Sequence, residues 1–423
     1  MQYAEIIEDI FKRHPSVQNV GFTGASYKAG IDSMREFDRL LGSPWKNYKC
    51  IHVAGTNGKG SVSSMIAVGL AASRKDGEAI GLYTSPHLLD FRERIKIISP
   101  AGGLHYEMIP KEDVMYFLEK YEDAIKGLSF FEITTGLALW WFGKVGVKAA
   151  VVETGLGGRL DSTNIIEPEL SVITSIGLDH CALLGGTREQ IASEKGGIFK
   201  KGADALVWGH DPQTDPVFEE CARHTGARLH FADEMIGEEQ QDSIDFGSMD
   251  LRGEYQKDNV RTVLAALQLL GVKADAHALE HTAHRTGLRG RWERLSVDGR
   301  ELICDIGHNP PALARNFAQL RSLGRPLTIV YGIMADKALE DIAPLMPSEA
   351  EYILCAPAGS RALPADKLHS RLKELRPELK TRIAGSVALA VEEALRCSEI
   401  ESIIYIGGST FVVAEAIALS NCK

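Results

Sequence analysis

One short stretch, Val53 to Ser61 with the sequence VAGTNGKGS, constrains the fold of this chain more than any other. An apolar run, CIHVAG, leads into it, and a run of small residues, SVSSMIAVGLAAS, follows it. A strand, a glycine loop and a helix in that order place successive backbone N–H groups at a helix N-terminus, where unpaired donors and the helix dipole attract phosphate. Lys59 adds a compact positive charge suited to the β- and γ-phosphates of a nucleotide. The residue after Lys59 is Gly60, and Ser61 comes one later, so the spacing departs from the usual pattern in which Ser or Thr follows the lysine directly. The bland alternative is a glycine turn with a surface lysine, and the flanking strand and helix argue against it.

The same alternation continues along the chain. AIGLYTS reads as a second strand at the usual α/β spacing, AAVVETG and LSVITSIG are β-branched apolar runs of the fully buried, parallel-strand kind, and FFEITTGLALWWFGKVG reads as a buried helix. The first 45 residues read as helices around the loop GASYKAGIDSM, and YQKDNVRTVLAALQLLG reads as a helix ending at Gly271. The stretch from about 232 to 252 is acidic and irregular, and reads as a solvated excursion. After Gly290-Arg291-Trp292 a second series begins, with ELICDIG, LTIVYGI, EYILCAP and SIIYIGG each followed by helical sequence. The expected class is α/β with parallel sheets covered on both faces, in two domains, 1–294 and 295–423. A chain of 423 residues exceeds one ordinary core, which agrees with that division.

Composition excludes several classes. The net charge of −10 argues against a nucleic-acid coat, whose affinity rests on phosphate neutralisation. No apolar run is long enough to cross a bilayer, and the start MQYAEIIEDIFKRHP is amphipathic and acidic, unlike a secretory signal. The seven cysteines are scattered and form no CxxC pair, which fits free thiols in a reducing cytoplasm. A cytoplasmic monomer is the expectation.

Two residues near the expected sheet edge, Glu153 and His180, invite a metal reading, and a third, Lys195, does not. Glu153 ends a buried strand before Gly155, Gly157 and Gly158, where a carboxylate beside a phosphate loop commonly holds Mg²⁺; a helix cap or ion pair is the alternative. His180 lies just past the strand in LSVITSIGLDH, and a lone histidine in such a place is more often structural than a ligand. Lys195, in REQIASEKGGIFKKG beside Glu194, reads by composition as a solvated or ion-paired helical lysine.

The motifs nevertheless form an ordered series: GTNGKGS, LYTSPHLLDFRERI, FFEITT, VETGLGGRLDSTN, SIGLDHCALLGGTREQIASEKGGIFK, YQKDN, GRWE, DIGHNP and YGIMADK. This series resembles folylpolyglutamate synthase/dihydrofolate synthase, a branch of the Mur ligase superfamily, from about residue 28 to about residue 340, with a weaker echo at YIGGSTFVVAE. The resemblance implies a P-loop ATPase domain of Mur ligase type followed by a smaller Rossmann-like α/β domain. It implies ATP-dependent addition of L-glutamate to dihydropteroate and to reduced folates through an acyl phosphate, releasing ADP and phosphate. By that resemblance Asn57, Gly58, Lys59 and Gly60 contact the ATP phosphates, while Asn259, Arg291, Asp305 and, less directly, His308 and Asn309 attend the nucleotide, with Arg291 and Asp305 reaching across from the domain junction and C-terminal domain. Ser85 and Glu153 hold one Mg²⁺, and His180 and Lys195 a second that shares Glu153. The lysine at this position is carried in the family as N6-carboxylysine, an anionic oxygen ligand, and K⁺ is allowed as a further cation. The pteroyl side would comprise Ala29, Gly30 and Ile31, then Ser129, Phe130, Phe131 and Glu132, then Leu160, Asp161 and Ser162. The segments DIGHNP and EKGGI depart from DGAHNP and EKAGI by small or apolar swaps and keep the polar residues.

Two other classes are weighed against this one. A Mur-type enzyme acting on a cell-wall nucleotide usually carries an N-terminal UDP-binding domain, and about fifty residues precede the phosphate loop here. A P-loop switch needs Ser or Thr directly after its lysine, where this chain has Gly60. Within the resembled family, a polyglutamylating enzyme without the dihydrofolate synthase activity stays open.

Overall fold

The computed structural model describes residues 30–74 and 77–420, together with Tyr3, Glu5, Ile7, Ile10, Arg13 and His14. They form two compact units, the first comprising Met1–Asp250 and Gln256–Leu288, the second Leu251–Tyr255 and Arg289–Lys423.

The first unit is built on an eight-stranded sheet. Its strands are β1 (Lys49–Ala54), β2 (Ile80–Tyr83), β3 (Ile95–Ser99), β4 (His105–Met108), β5 (Ala149–Glu153), β6 (Leu170–Ile173), β7 (Asp204–Val207) and β8 (Arg228–Phe231), in the order β4-β3-β2-β5-β1-β6-β7-β8. From β2 to β8 every pairing is parallel; β3 and β4 add an antiparallel edge. The mainly parallel sheet expected of an α/β unit is thus mixed at that edge. β3 and β4 are joined by the turn Pro100–Leu104, and a hairpin needs no crossover helix to return the chain.

Burial of both faces explains the apolar runs. Helix Lys59–Ala72 is buried from Gly60 to Ala71, and Gly69 faces Leu267 of helix Gln256–Leu269, where a β-carbon would stand 2.7 Å from the leucine. Only small residues let two helices approach so closely. Across the sheet, helices Asp32–Leu40, Lys111–Lys120 and Phe130–Val145 contribute Phe37, Phe117, Trp141 and Phe142 to a core that also contains Tyr83 and Val152. Among the described residues no helix is long and apolar enough to cross a membrane.

The acidic stretch near 232–252 is more ordered than its composition predicts. It forms short helices Ala232–Met235 and Glu238–Gln241, and buries Ile236, Ile244, Met249 and Leu251. Those four apolar residues follow neither helix nor strand period, so the pattern hid an anchored segment.

The second unit has a six-stranded sheet, β13-β12-β11-β14-β10-β9, from β9 (Glu293–Val297), β10 (Arg300–Cys304), β11 (Leu327–Tyr331), β12 (Glu351–Leu354), β13 (Lys380–Ile383) and β14 (Ile403–Gly407). All pairs are parallel except β9 with β10, joined by Asp298-Gly299, both with positive φ. Asp-Gly is the residue pair that a two-residue hairpin turn favours. The division at about residue 295 moves to Leu288/Arg289, because Trp292 is a fully buried core residue of the second unit, 6.2 Å from Tyr405. Leu251–Tyr255 joins that unit out of sequence.

Phe142 is fully buried, stacks edge-on against Tyr48 and fills the space above Gly81. Phe142→Ala is expected to lower the stability of the first unit by about 3–5 kcal/mol, read from its urea unfolding midpoint. A loss below about 1 kcal/mol would show that the surrounding residues collapse into the gap.

Candidate active site

The phosphate loop leaves β1, the strand between β5 and β6, at the carboxyl edge of the sheet. The loop is laced to the segment after β6. Thr56 N donates to Ser175 O (2.7 Å), Thr174 Oγ1 donates to Asn57 O (2.7 Å), and Gly177 N donates to Thr56 Oγ1 (3.1 Å). Gly58 caps helix Lys59–Ala72 with φ of 90°. The Asn259 amide lies against it, and a β-carbon on Gly58 would stand 2.4 Å from Asn259 Oδ1. Both the backbone angle and the close approach therefore require glycine here. Asn259 is held by Gln256 Oε1 (2.8 Å), and Gln256 Nε2 donates to Ser61 Oγ (3.1 Å), so helix Gln256–Leu269 supports the loop from outside. Asn57, Gly58, Lys59, Gly60 and Asn259 are thus brought together.

Lys59 Nζ turns back to the carbonyls of Gly55 (3.0 Å) and Thr56 (3.2 Å). Lys195 reaches the same Gly55 oxygen at 2.8 Å. It extends from the last turn of helix Arg188–Gly196, whose first turn is fixed by a Thr187/Gln190 capping box. Arg188 pairs with Asp211 and donates to Ile176 O (3.4 Å), tying that helix to the segment that ends at His180. Gly158 also holds the helix in place, since a β-carbon there would meet the carbonyls of Glu194 (2.8 Å) and Lys195 (2.9 Å). Lys195 is 3% exposed, so it is not the solvated lysine that composition suggests. Burial, reinforced by the charge of Lys59 and opposed by Asp179 and Asp161, lowers its amine to about 7.

Glu153 ends β5 beside Val53, buried, and accepts the N–H of Ser85 at 3.1 Å. Ser85 precedes a cis peptide to Pro86 in the loop after β2. His180 adopts φ of 53°, and its N–H donates to Asp179 Oδ1 at 2.9 Å. Ser85, Glu153, His180 and Lys195 thus all follow from the carboxyl edge of the sheet or from the helix that reaches it. Among the described residues no group of three or more His, Cys, Asp or Glu side chains is placed to hold a metal ion. The donor chemistry fits Mg²⁺ in part: Ser85 and Glu153 offer hard oxygens and His180 a nitrogen. Lys195 fits as a ligand only once its nitrogen carries a carboxylate, and an amine titrating near 7 has the neutral fraction that attack on CO₂ requires.

Of the expected pteroyl-side residues, Ala29 lies outside the described residues. Ile31 begins helix Asp32–Leu40, which packs against helix Phe130–Val145 and the turn Ser162–Ile165, so Ile31, Ser129 to Glu132 and Leu160 to Ser162 come from neighbouring elements. Within that group, Ser129 and Glu132 form the capping box of helix Phe130–Val145, and Glu132 also accepts from Ser33. Asp161 accepts from Leu156 N (2.8 Å), Thr163 N (3.0 Å) and Thr163 Oγ1 (2.5 Å). Burial raises its pKa, against those bonds.

In the second unit, Asp305 is an internal hub. Its oxygens accept from Tyr255 OH (2.7 Å), Trp292 N (2.9 Å), Gly307 N (2.8 Å) and Asn316 Nδ2 (2.7 Å), which use all four acceptor directions of a carboxylate. Asn309 caps helix Pro310–Ser322, His308 Nδ1 donates to Ile306 O (2.9 Å), and Arg291 donates to the Gly290 carbonyl (3.3 Å).

Sequence reasoning missed a buried pair. Arg94, 3% exposed, donates from Nε to His87 Nδ1 (2.8 Å) and lies 5.2 Å from the Phe130 ring centre. Burial, with Arg94 adding to it, lowers His87 to about 3, so the ring is neutral and its proton sits on Nε2. Both residues stand in LYTSPHLLDFRERI, and a histidine and an arginine just past a buried strand were the available signal. Asp179, beside His180 and facing Lys195, was missed for the same reason.

Comparison with known proteins matches residues 290–410 to the Mur ligase, glutamate ligase domain. The chain is 32% identical over 370 residues to folylpolyglutamate synthase of Lacticaseibacillus casei, covering 79% of this chain and 84% of that protein. It is 30% identical over 388 residues to dihydrofolate synthase/folylpolyglutamate synthase of Escherichia coli K12, covering 88% and 86%. A probable bifunctional folylpolyglutamate synthase/dihydropteroate synthase of Haloferax volcanii is 31% identical over 413 residues, covering 92% of this chain but 48% of that protein, so the chain spans about half its length. Among solved structures, E. coli FolC in complex with DHPP and ADP superposes with a TM-score of 0.83 at 26% identity, covering 100% and 98% of the two chains. A bifunctional folylpolyglutamate synthase/dihydrofolate synthase with Mn, AMPPNP and L-glutamate bound gives 0.81 at 27%, with coverage of 100% and 98%.

The folded-state amine of Lys195 titrates near 7 and an exposed lysine near 10.5, so between those values the native state binds fewer protons than the unfolded one. The cost of burying the ammonium is full below pH 7 and disappears as pH rises past 10.5. Lys195→Met is therefore expected to stabilise the fold most below pH 7, with the gain shrinking toward pH 10.5, as read from unfolding midpoints across pH. A gain that grows with pH contradicts this.

Proposed function

This chain belongs to the folylpolyglutamate synthase/dihydrofolate synthase family of ATP-dependent ligases, and on that premise we propose that it joins L-glutamate to dihydropteroate and to reduced folates. The single observation that carries the reading is the assembly at one sheet edge of the glycine loop, Lys59, Glu153, Ser85, His180 and a buried Lys195. The DHPP, ADP, AMPPNP and L-glutamate named with the related structures supply the substrate classes.

A carboxylate and an amine do not condense in water, because the oxygen that must leave is a poor leaving group. Transfer of the γ-phosphoryl group of ATP to the carboxylate gives an acyl phosphate; the amine of glutamate then attacks, and phosphate leaves. The first step brings two anions together, and unit charges about 4 Å apart repel by roughly 4 kcal/mol at an effective dielectric of 20. That is on the order of 10³ in rate. The loop amides at Asn57–Gly60 and the Lys59 ammonium bind and orient the triphosphate, with Asn259 bracing Gly58. Ser85 and Glu153 would hold one Mg²⁺, and His180 with Lys195 as its carbamate a second that shares Glu153. Bound there, the ions neutralise phosphate charge and polarise the reacting phosphoryl group. The lowered amine pKa of Lys195 supports the carbamate, formed when neutral nitrogen adds to CO₂ and releases one proton. Ile31, Phe130, Phe131, Leu160 and Ser162 line the pteroyl side in this reading, while Ser129, Glu132 and Asp161 hold that side in shape. Within the second unit, Asp305 fixes the loops that carry Arg291 and His308.

Purified protein with ATP, Mg²⁺, L-glutamate and dihydropteroate is expected to release ADP and phosphate in a glutamate-dependent manner, and likewise with a reduced folate. Glu153→Gln and Lys195→Ala are each expected to lower turnover by on the order of 10²-fold or more. Full rates in both variants would overturn the mechanism. Turnover on a reduced folate alone would assign the narrower activity that the L. casei relative bears in its name.

A further inference from the structure

His52 interrupts an otherwise apolar stretch of β1, two residues before Ala54 ends the strand, and is fully buried. Its Nε2 lies 2.8 Å from Thr163 Oγ1. That hydroxyl has one proton and gives it to Asp161 Oδ1 at 2.5 Å. Thr163 can therefore only accept from histidine, which places the ring proton on Nε2 and a lone pair on Nδ1. Among the described residues His52 Nδ1 is buried without a hydrogen-bond partner. Burial, with Lys200 adding to it, lowers the ring pKa to about 3, so the imidazole stays neutral. The result is a one-way chain, Nε2–H to Oγ1–H to Oδ1, from the centre of the sheet to Asp161.

An apolar residue would suit this strand position better, since an unpaired buried acceptor costs stability and a valine carries none. What the histidine adds lies at the far end of the chain. Asp161 caps the turn Ser162–Ile165, and its other oxygen accepts from Leu156 N. Thr163 and Asn164 face inward, with Asn164 Nδ2 on the carbonyls of Arg159 and Gly197 (both 3.0 Å), whereas Leu160 and Ser162 are only half-buried. The segment is thus bolted on its inner side and presents alternate residues outward.

We propose that His52 and Thr163 are positioning residues for the pteroyl substrate: together they set the direction of the Asp161 carboxylate and so the seat of Leu160 and Ser162, without touching substrate or nucleotide. This rests on the assignment of Leu160–Ser162 to the pteroyl side in the function proposed above. β1 also runs into the phosphate loop, so a general loosening of the strand would disturb ATP and pteroyl binding alike, whereas loss of the relay disturbs only the latter.

Thr163→Val removes the hydroxyl at nearly constant volume, His52→Leu removes the donor, and His52→Gln keeps an N–H donor. Steady-state kinetics on the full chain are expected to give a KM for dihydropteroate raised about tenfold in the first two variants. The KM for ATP should stay within about twofold and kcat within about threefold. His52→Gln should remain within about threefold of the unsubstituted protein, and His52→Leu/Thr163→Val should be no worse than Thr163→Val alone. Equal rises in both KM values, or a lower melting temperature with the dihydropteroate KM unchanged, overturn the proposal in favour of a purely structural role. Should His52→Leu not fold, Thr163→Val and His52→Gln decide the question. No turnover of any pteroyl substrate by the unsubstituted protein would overturn the function itself, and the proposal with it.

Discussion

Two amino groups, those of Lys59 and Lys195, share the carbonyl oxygen of Gly55, at 3.0 and 2.8 Å. Everything else at the sheet edge follows from the need to make that convergence tolerable. Lys195 is buried there and Lys59 half-buried, and positive charge gathered on backbone carbonyls in such a setting favours partners that bring negative charge. In the function proposed above, a triphosphate would relieve Lys59, and conversion of the Lys195 amine to its carbamate would remove one cation altogether. The fold spends much of its local structure on holding this arrangement: the lacing of Thr56 and Asn57 to the β6 segment, the glycine contact at Gly158, and the Arg188 tie to Ile176 and Asp211.

The central architecture was legible in the sequence because buried parallel strands write themselves as unbroken apolar runs. β2, β5, β6, β11, β12 and β14 lie within runs read as strands, β1 and β10 start one residue before theirs, and helices Phe130–Val145 and Gln256–Leu269 fall where their patterns place them. Edge strands were not legible. β4 alternates between exposed and half-buried residues, β13 is mostly exposed, and β8 is only partly buried, so none carries a strong apolar signal. The hairpin of β9 and β10 went unread, because β9 alternates half-buried and exposed residues and only its second strand is apolar enough to read. The segment 232–252 misled because its buried residues are sparse and aperiodic among acids.

The site divides in the same way. The phosphate loop is a local motif, so spacing alone carried it. Lys195 is an ordinary helical lysine until the fold buries it, and only the family pattern gave it a role. His87 with Arg94, and His52 with Thr163, are pairs whose meaning lies in a hydrogen bond, the second across 111 residues of chain, which no window of sequence displays. Ser129, Glu132 and Asp161, expected on the pteroyl side, are also drawn into caps and turns, a role that their spacing in the sequence did not display.

Leu251–Tyr255 has a topological consequence. The polypeptide enters the second unit, leaves it at Gln256, and enters again at Arg289, so the two units are linked by three covalent passages. The matched ligase domain, 290–410, omits the first visit. A module excised or exchanged at that single boundary would lose the tyrosine hydroxyl that serves Asp305, leaving a buried carboxylate short of a donor. Recombination between relatives that respects this fold must therefore splice at more than one point, a restriction on how such genes can be shuffled that a linear domain map does not reveal.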